Sequence, residues 1–233
     1  ADILFTLYLL VYFPFEGIRN SLVSKVPKPA LPVLQSYWKQ GRYILILLAV
    51  FVLVCWQEQH SASQLGLAIP PTPAGIWGLG IVLALLMTLH ILGKRAESKL
   101  TPQDRITQQE KMRELPFPMP QTGVEIAAYF ITMVGMTTVW EVFFRGYLLL
   151  VLTPHTGLPL AVVLAAVSYG AGHGYKSFKQ FAGSIGVSLA FTIGYALTGS
   201  LWWLIVLHAA APTMMFFAVR QLNQAKSVEV ISA

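Results

Sequence analysis

The sequence predicts an all-α fold, a polytopic transmembrane helical bundle of about seven spans. Three observations carry that prediction. Hydrophobic residues fill 55% of the 233 positions and charged residues only 11%, where ordinary soluble domains hold about 25% charged. Mean hydropathy is +0.62. The apolar residues gather into runs near the length of a bilayer crossing, and the basic residues fall almost entirely in alternate gaps between them.

Taken in order, the first run is Ile3 to about Phe15, short for a span. The second is Tyr43 to Trp56 and the third Gly75 to Leu92. The fourth extends from Val124 to about Val151. The fifth runs Leu158 to Gly172, the sixth Phe181 to Leu197, and the seventh Leu201 to Val219. A crossing needs roughly 17–25 apolar residues, and shorter runs need neighbours to help. Between the third and fourth runs, Gly93–Thr122 is the most polar stretch. Its charged residues predict a short surface helix, and Pro116, Pro118 and Pro120 a stiffened approach to the next span. The loop Gln57–Ala74 is polar and then proline-rich at Pro70, Pro71 and Pro73. With no internal repeat, the chain reads as one membrane domain over 1–233, with residues 93–122 a cytoplasmic loop and residues 123–219 the core that bears the motifs.

The basic residues orient this bundle. Arg19, Lys25, Lys28, Lys39 and Arg42 precede the second span, and Lys94, Arg95, Lys99, Arg105, Lys111 and Arg113 follow the third. Lys176 and Lys179 follow the fifth, and Arg220 and Lys226 the seventh. These fifteen of the sixteen share one side, whereas Gln57–Ala74, Thr153–Gly157 and Thr198–Ser200 hold none. The positive-inside tendency therefore puts the amino terminus outside and the carboxyl terminus in the cytoplasm, in a plasma or bacterial inner membrane. The net charge of +6 is accounted for by topology, so no nucleic-acid partner is expected. Cys55 alone allows neither a disulfide framework nor a cysteine metal site within the chain. No cleavable signal peptide is expected, because Arg19 follows the first apolar run instead of preceding it.

Arg145 is the sixteenth basic residue, and it lies inside a span. Glu141 stands four residues before it, the spacing that stacks two side chains on one helix face. A charge pair in hydrocarbon is expensive to bury and needs a reason, either as a structural ion pair or as part of a reactive site. His173 closes the fifth span in Tyr169-Gly170-Ala171-Gly172-His173, where the small residues permit close helix approach. His208 lies within the seventh. At 1.5 Å rise per residue, Glu141, His173 and His208 lie roughly 18, 24 and 12 Å from the same side, close enough to converge if the helices tilt.

The order Glu…Arg, then His, then His on successive spans resembles the CAAX protease and bacteriocin-processing family of intramembrane proteases, also called CPBP or Abi. That family carries Glu-Glu-x-x-x-Arg, then Phe-x-x-x-His, then His-x-x-x-Asn. The matching residues here are Trp140-Glu141-x-x-x-Arg145, Tyr169-x-x-x-His173 and His208-x-x-x-Pro212, and the resemblance spans about Ile126 to Phe217. It implies Glu141, His173 and His208 as catalytic residues if the chain is active, with Glu141 and Arg145 also able to serve as a structural pair. No cofactor and no metal are expected. The family's first glutamate, implicated in activating water, is Trp140 here, and its last asparagine, linked to the oxyanion, is Pro212. An indole cannot accept a proton, and proline has neither a side-chain donor nor a backbone N–H.

Three readings stay open on the residues. In the first, the chain is a degenerate member that binds peptides, lipids or membrane-protein partners as an accessory subunit of a larger membrane complex. In the second it is an active endopeptidase that cleaves prenylated or membrane-associated peptides, with Glu141 as base. The third is a cofactor-binding subunit that uses His90, His173 or His208 as axial ligands. His-Glu-x-x-His and Gly-x-Ser-x-Gly are absent from the sequence, and Ser184 in Gly183-Ser184-Ile185-Gly186 reads as a small helix-packing residue.

Overall fold

The computed structural model describes residues 1–23, 32–113, 120–173, 175 and 177–232, with side chains to Ala218 apart from a few on the polar segment after residue 101. Pro116 and Pro118, together with Lys25, Lys28 and Lys176, lie outside the described residues. Every regular element described is helical: α1 (Asp2–Leu7), a π turn (Tyr8–Tyr12), α2 (Phe13–Val23), α3 (Val33–Glu58), α4 (Pro73–Glu97) and α5 (Pro102–Arg113). Then come α6 (Gly123–Glu141), a second π turn (Val142–Tyr147), α7 (Leu148–Thr156), α8 (Leu158–Gly172), α9 (Phe178–Thr198) and α10 (Trp202–Ser232). Four stretches are long and apolar enough to cross a membrane: α3, α4, the continuous run Gly123–Thr156, and α9. The apolar part of α10 and all of α8 are shorter. The chain is an all-α membrane protein.

The outward faces fit a lipid solvent. Along α4, Trp77, Ile81, Leu83, Met87 and Leu92 are exposed, a continuous apolar surface that water would not tolerate. The helix ends follow from local chemistry. Thr122 accepts from the Glu125 N–H while Glu125 reaches back to the Thr122 N–H, a reciprocal capping box that starts α6. In the polar segment Asp104 accepts from the Thr101 hydroxyl at 2.6 Å and its N–H at 3.0 Å. Those bonds hold its carboxyl below the ordinary aspartate range.

Two arrangements position the interior. First, α1 and α2 do not stand apart from the motif-bearing core. Phe5 packs edge-on against Phe143 and Tyr147, Phe51 of α3 joins them, and Ser168 of α8 donates to the Leu9 carbonyl. Second, the loop after α3 clamps the turn between α9 and α10. Thr72 donates to the Thr198 carbonyl at 2.6 Å, Leu201 N–H to Gly66 at 2.9 Å, and the Trp202 indole to Ala68 at 2.9 Å.

Helix α8 is gripped from both sides through its small residues. Gly17 of α2 lies against it so closely that an added Cβ would stand 2.6 Å from the Gly172 carbonyl oxygen. On the other side a Cβ at Gly170 would meet Ile185 of α9 at 2.8 Å, and Ser184 donates to the Gly170 carbonyl. Ser184 thus has the packing role its sequence context implies. Backbone cannot move aside as a flexible side chain can, so Gly17→Leu should force α2 from α8 and destabilise the protein by ~1–3 kcal/mol. Gly183→Ala, on an open face of α9, should leave stability unchanged or raised. Thermal unfolding of the two variants in detergent checks the contrast.

Candidate functional site

Glu141 is the last residue of α6 before the chain widens into the π turn Val142–Tyr147, all six residues of which are buried. A single π turn inserts one residue into the helical ladder, and such turns recur at functional sites. The sequence spacing implies an ordinary helix here, and the structure corrects that. The extra residue nevertheless leaves Arg145 facing Glu141, with Arg145 Nη1 3.2 Å from Glu141 Oε1 and both side chains fully buried. Gly146 is needed at the next position, because a Cβ there would meet the Leu65 carbonyl oxygen at 2.6 Å.

Of the two predicted histidines, the structure brings His208 onto this pair. His208 Nδ1 is hydrogen-bonded to the same Glu141 Oε1, with α10 bringing it in from the far side. Since a carboxylate only accepts, the imidazole donates through Nδ1. Arg145 Nη2 donates to Ser188 Oγ of α9 at 3.1 Å, and its Cζ stands 3.9 Å above the Tyr169 ring of α8. A desolvated guanidinium over an aromatic face gains about 2 kcal/mol. His173 donates through Nδ1 to the Tyr169 carbonyl at 2.9 Å, which leaves Nε2 as its acceptor nitrogen. Its ring lies 4.3 Å from the Tyr169 ring, and His208 lies 6.3 Å from the same ring. The two histidines therefore flank Tyr169, while only His208 bonds to Glu141.

The positions that depart from the family pattern are also occupied in a definite way. Trp140 packs tilted against Phe13 of α2 at 4.6 Å and against Phe144 at 5.8 Å, so an aromatic wall stands at the motif position of the second carboxylate. Pro212 sits inside α10, and its carbonyl accepts from the Tyr129 hydroxyl at 2.8 Å. Lacking an N–H, it gives nothing to the His208 carbonyl one turn earlier. Two polar atoms are buried without a hydrogen-bond partner among the described residues of this site, Glu141 Oε2 and Arg145 Nε.

His90 takes no part in this cluster. It lines a separate cleft with Met214 and Phe217 near the end of α4, so an axial-ligand set that includes His90 does not assemble. Among the described residues no three His, Cys, Asp or Glu side chains group as metal ligands. Sequence reasoning missed Ser188 as a partner of Arg145, and it missed the role of the Tyr169 ring. A lone serine in an apolar helix carries no signal of its direction, whereas the aromatic residue at the Tyr169 motif position was in view.

Removing one partner of a buried charge pair leaves the other unpaired, so Arg145→Met should cost about 3–5 kcal/mol. The double variant Glu141→Gln/Arg145→Met should cost clearly less than the sum of its singles. Denaturant or thermal unfolding of the three proteins in detergent measures both quantities.

Comparison with known proteins agrees with this geometry. Residues 122–214 match the family described as type II CAAX prenyl endopeptidase Rce1-like. No curated protein and no solved structure matches the chain. The match covers the described parts of α6 through α10 that supply Glu141, Arg145, His173 and His208. Residues 122–214 of the chain are thus similar to the Rce1-like CAAX prenyl endopeptidase family.

Proposed function

We propose that this membrane protein is a degenerate member of the family, one that has lost the peptidase step and uses the inherited cavity to bind peptide or membrane-protein partners. Its role is then that of an accessory subunit within a larger membrane complex. The observation that carries the reading is Trp140, whose ring packs on Phe13 and Phe144 at the position of the family's water-activating glutamate. Glu141 does not readily replace it. Its Oε1 is already engaged by Arg145 and His208. Pro212 also withholds the oxyanion donor expected beside His208. General-base catalysis contributes about 10²–10⁴-fold and an oxyanion donor about 10²–10³-fold. Loss of both accounts for an inactive site. The distribution of basic residues favours an amino terminus outside and a carboxyl terminus in the cytoplasm of a plasma or bacterial inner membrane.

One observation favours an active peptidase. Among the described residues Glu141 Oε2 is buried without a hydrogen-bond partner, and that oxygen could accept a proton from a water attacking a scissile carbonyl, with His208 beside it. The two readings part in a peptidase assay on prenylated and unmodified membrane peptides with the full chain in lipid. The degenerate reading predicts no turnover by the wild type and gain of turnover in Trp140→Glu, increased again by Pro212→Asn. Wild-type cleavage abolished by Glu141→Ala overturns it. Stoichiometric co-purification of a membrane partner supports the accessory role.

A further inference from the structure

A second site lies away from Glu141. A cleft of about 590 Å³ opens between the C-terminal half of α4, α5 and α10. Leu89, Met214 and Phe217 form its apolar wall, while His90, Lys94, Glu97 and Gln108 are the polar groups at its rim. From this pattern we infer that the cleft binds a phospholipid with an anionic headgroup, its phosphate held by His90 and Lys94 and an acyl chain laid along Leu89, Met214 and Phe217.

Depth supports this assignment. His90 lies roughly 26 Å along α4 from Pro73 and Lys94 roughly 32 Å, against a hydrocarbon core about 30 Å thick. The apolar wall therefore reaches into the hydrocarbon and the polar rim meets the headgroups. Charge is complementary too. Residues 93–113 hold six basic side chains against three acidic ones, Glu97, Asp104 and Glu110. Lys94 pairs with Glu97 at 3.6 Å, both partly open to solvent, so the pair can yield to a phosphate. His90 is exposed, and among the described residues it has no hydrogen-bond or ion-pair partner. An unpaired imidazole at the edge of hydrocarbon is costly unless something polar meets it. The carbonyl end of α4 disfavours an anion, and Lys94 and Arg95 in its last turn offset that dipole. A cleft of this size lies within the range that encloses small amphiphilic ligands.

The test is native mass spectrometry of the full chain in detergent with dioleoyl-phosphatidylglycerol or dioleoyl-phosphatidylcholine. A basic residue at a membrane surface gives about five-fold in affinity for anionic lipid, so the wild type should prefer phosphatidylglycerol by at least that factor. His90→Ala/Lys94→Ala should bring the ratio near one, while Lys39→Ala/Arg42→Ala, remote from the cleft, should leave it unchanged. Phe217→Ala should weaken both lipids alike. All four proteins should elute as folded monodisperse species, since the substituted residues are exposed. No preference in the wild type, an equal loss in the remote control, or undiminished binding by Phe217→Ala each overturns the assignment. Equal binding of uncharged diacylglycerol also overturns it, as it marks a hydrocarbon slot without headgroup recognition.

Discussion

The interior of this protein is arranged around one buried anion. Glu141 is fully enclosed, and a lone carboxylate in such a place is prohibitively costly. Arg145 answers it from one turn away and His208 from α10. Arg145 in turn must be satisfied, and Ser188 of α9 and the Tyr169 ring of α8 do so. A single charge thus recruits α6, its π turn, α8, α9 and α10 into one arrangement. The small residues of α8 and Gly146 then admit the neighbouring backbone at the distances the arrangement requires.

Such a knot can belong to a catalyst or to a scaffold, because both need the charge compensated. What differs is whether a basic oxygen remains free to take a proton and whether a donor waits for the oxyanion. On our proposal the indole of Trp140 and the ring of Pro212 stand at those two motif positions, and the family's fold has kept the part of its site that holds helices together. The cleft at the far end of α4 is separate from this cluster, since none of Glu141, His173 and His208 lines it.

Much of this was legible in the sequence, for identifiable reasons. The bounds of α8, Leu158–Gly172, agree with the expectation because the helix is fenced by Gly157, in a positive-φ turn, and by the Gly172-His173 end. Helix α3 begins ten residues earlier than its apolar run, at Val33 instead of Tyr43, since Ser36, Lys39, Gln40 and Arg42 form a helix that hydropathy reads as loop. The polar end of α4, through Glu97, escaped for the same reason. The π turn was invisible, because Val142-Phe143-Phe144 is apolar in any helical register. Convergence of Glu141 and His208 followed from rough depth alone. Their direct bond did not, since depth fixes height along the bundle and says nothing of which way α10 is rotated. The contribution of the first two helices was also hidden: nothing in Phe5, Leu9 or Phe13 announces that they wall the site.

The central claim is that Glu141 serves primarily to hold helices together through Arg145 and His208. Its most direct test is a double-mutant cycle between Glu141→Gln and His208→Gln, read on unfolding free energy in lipid and on peptidase turnover in the same preparations. The account predicts a stability coupling within the ~0.5–3 kcal/mol range of contacting residues, with no turnover in any of the four proteins. Negligible coupling in stability, together with wild-type turnover that either substitution abolishes, would contradict it.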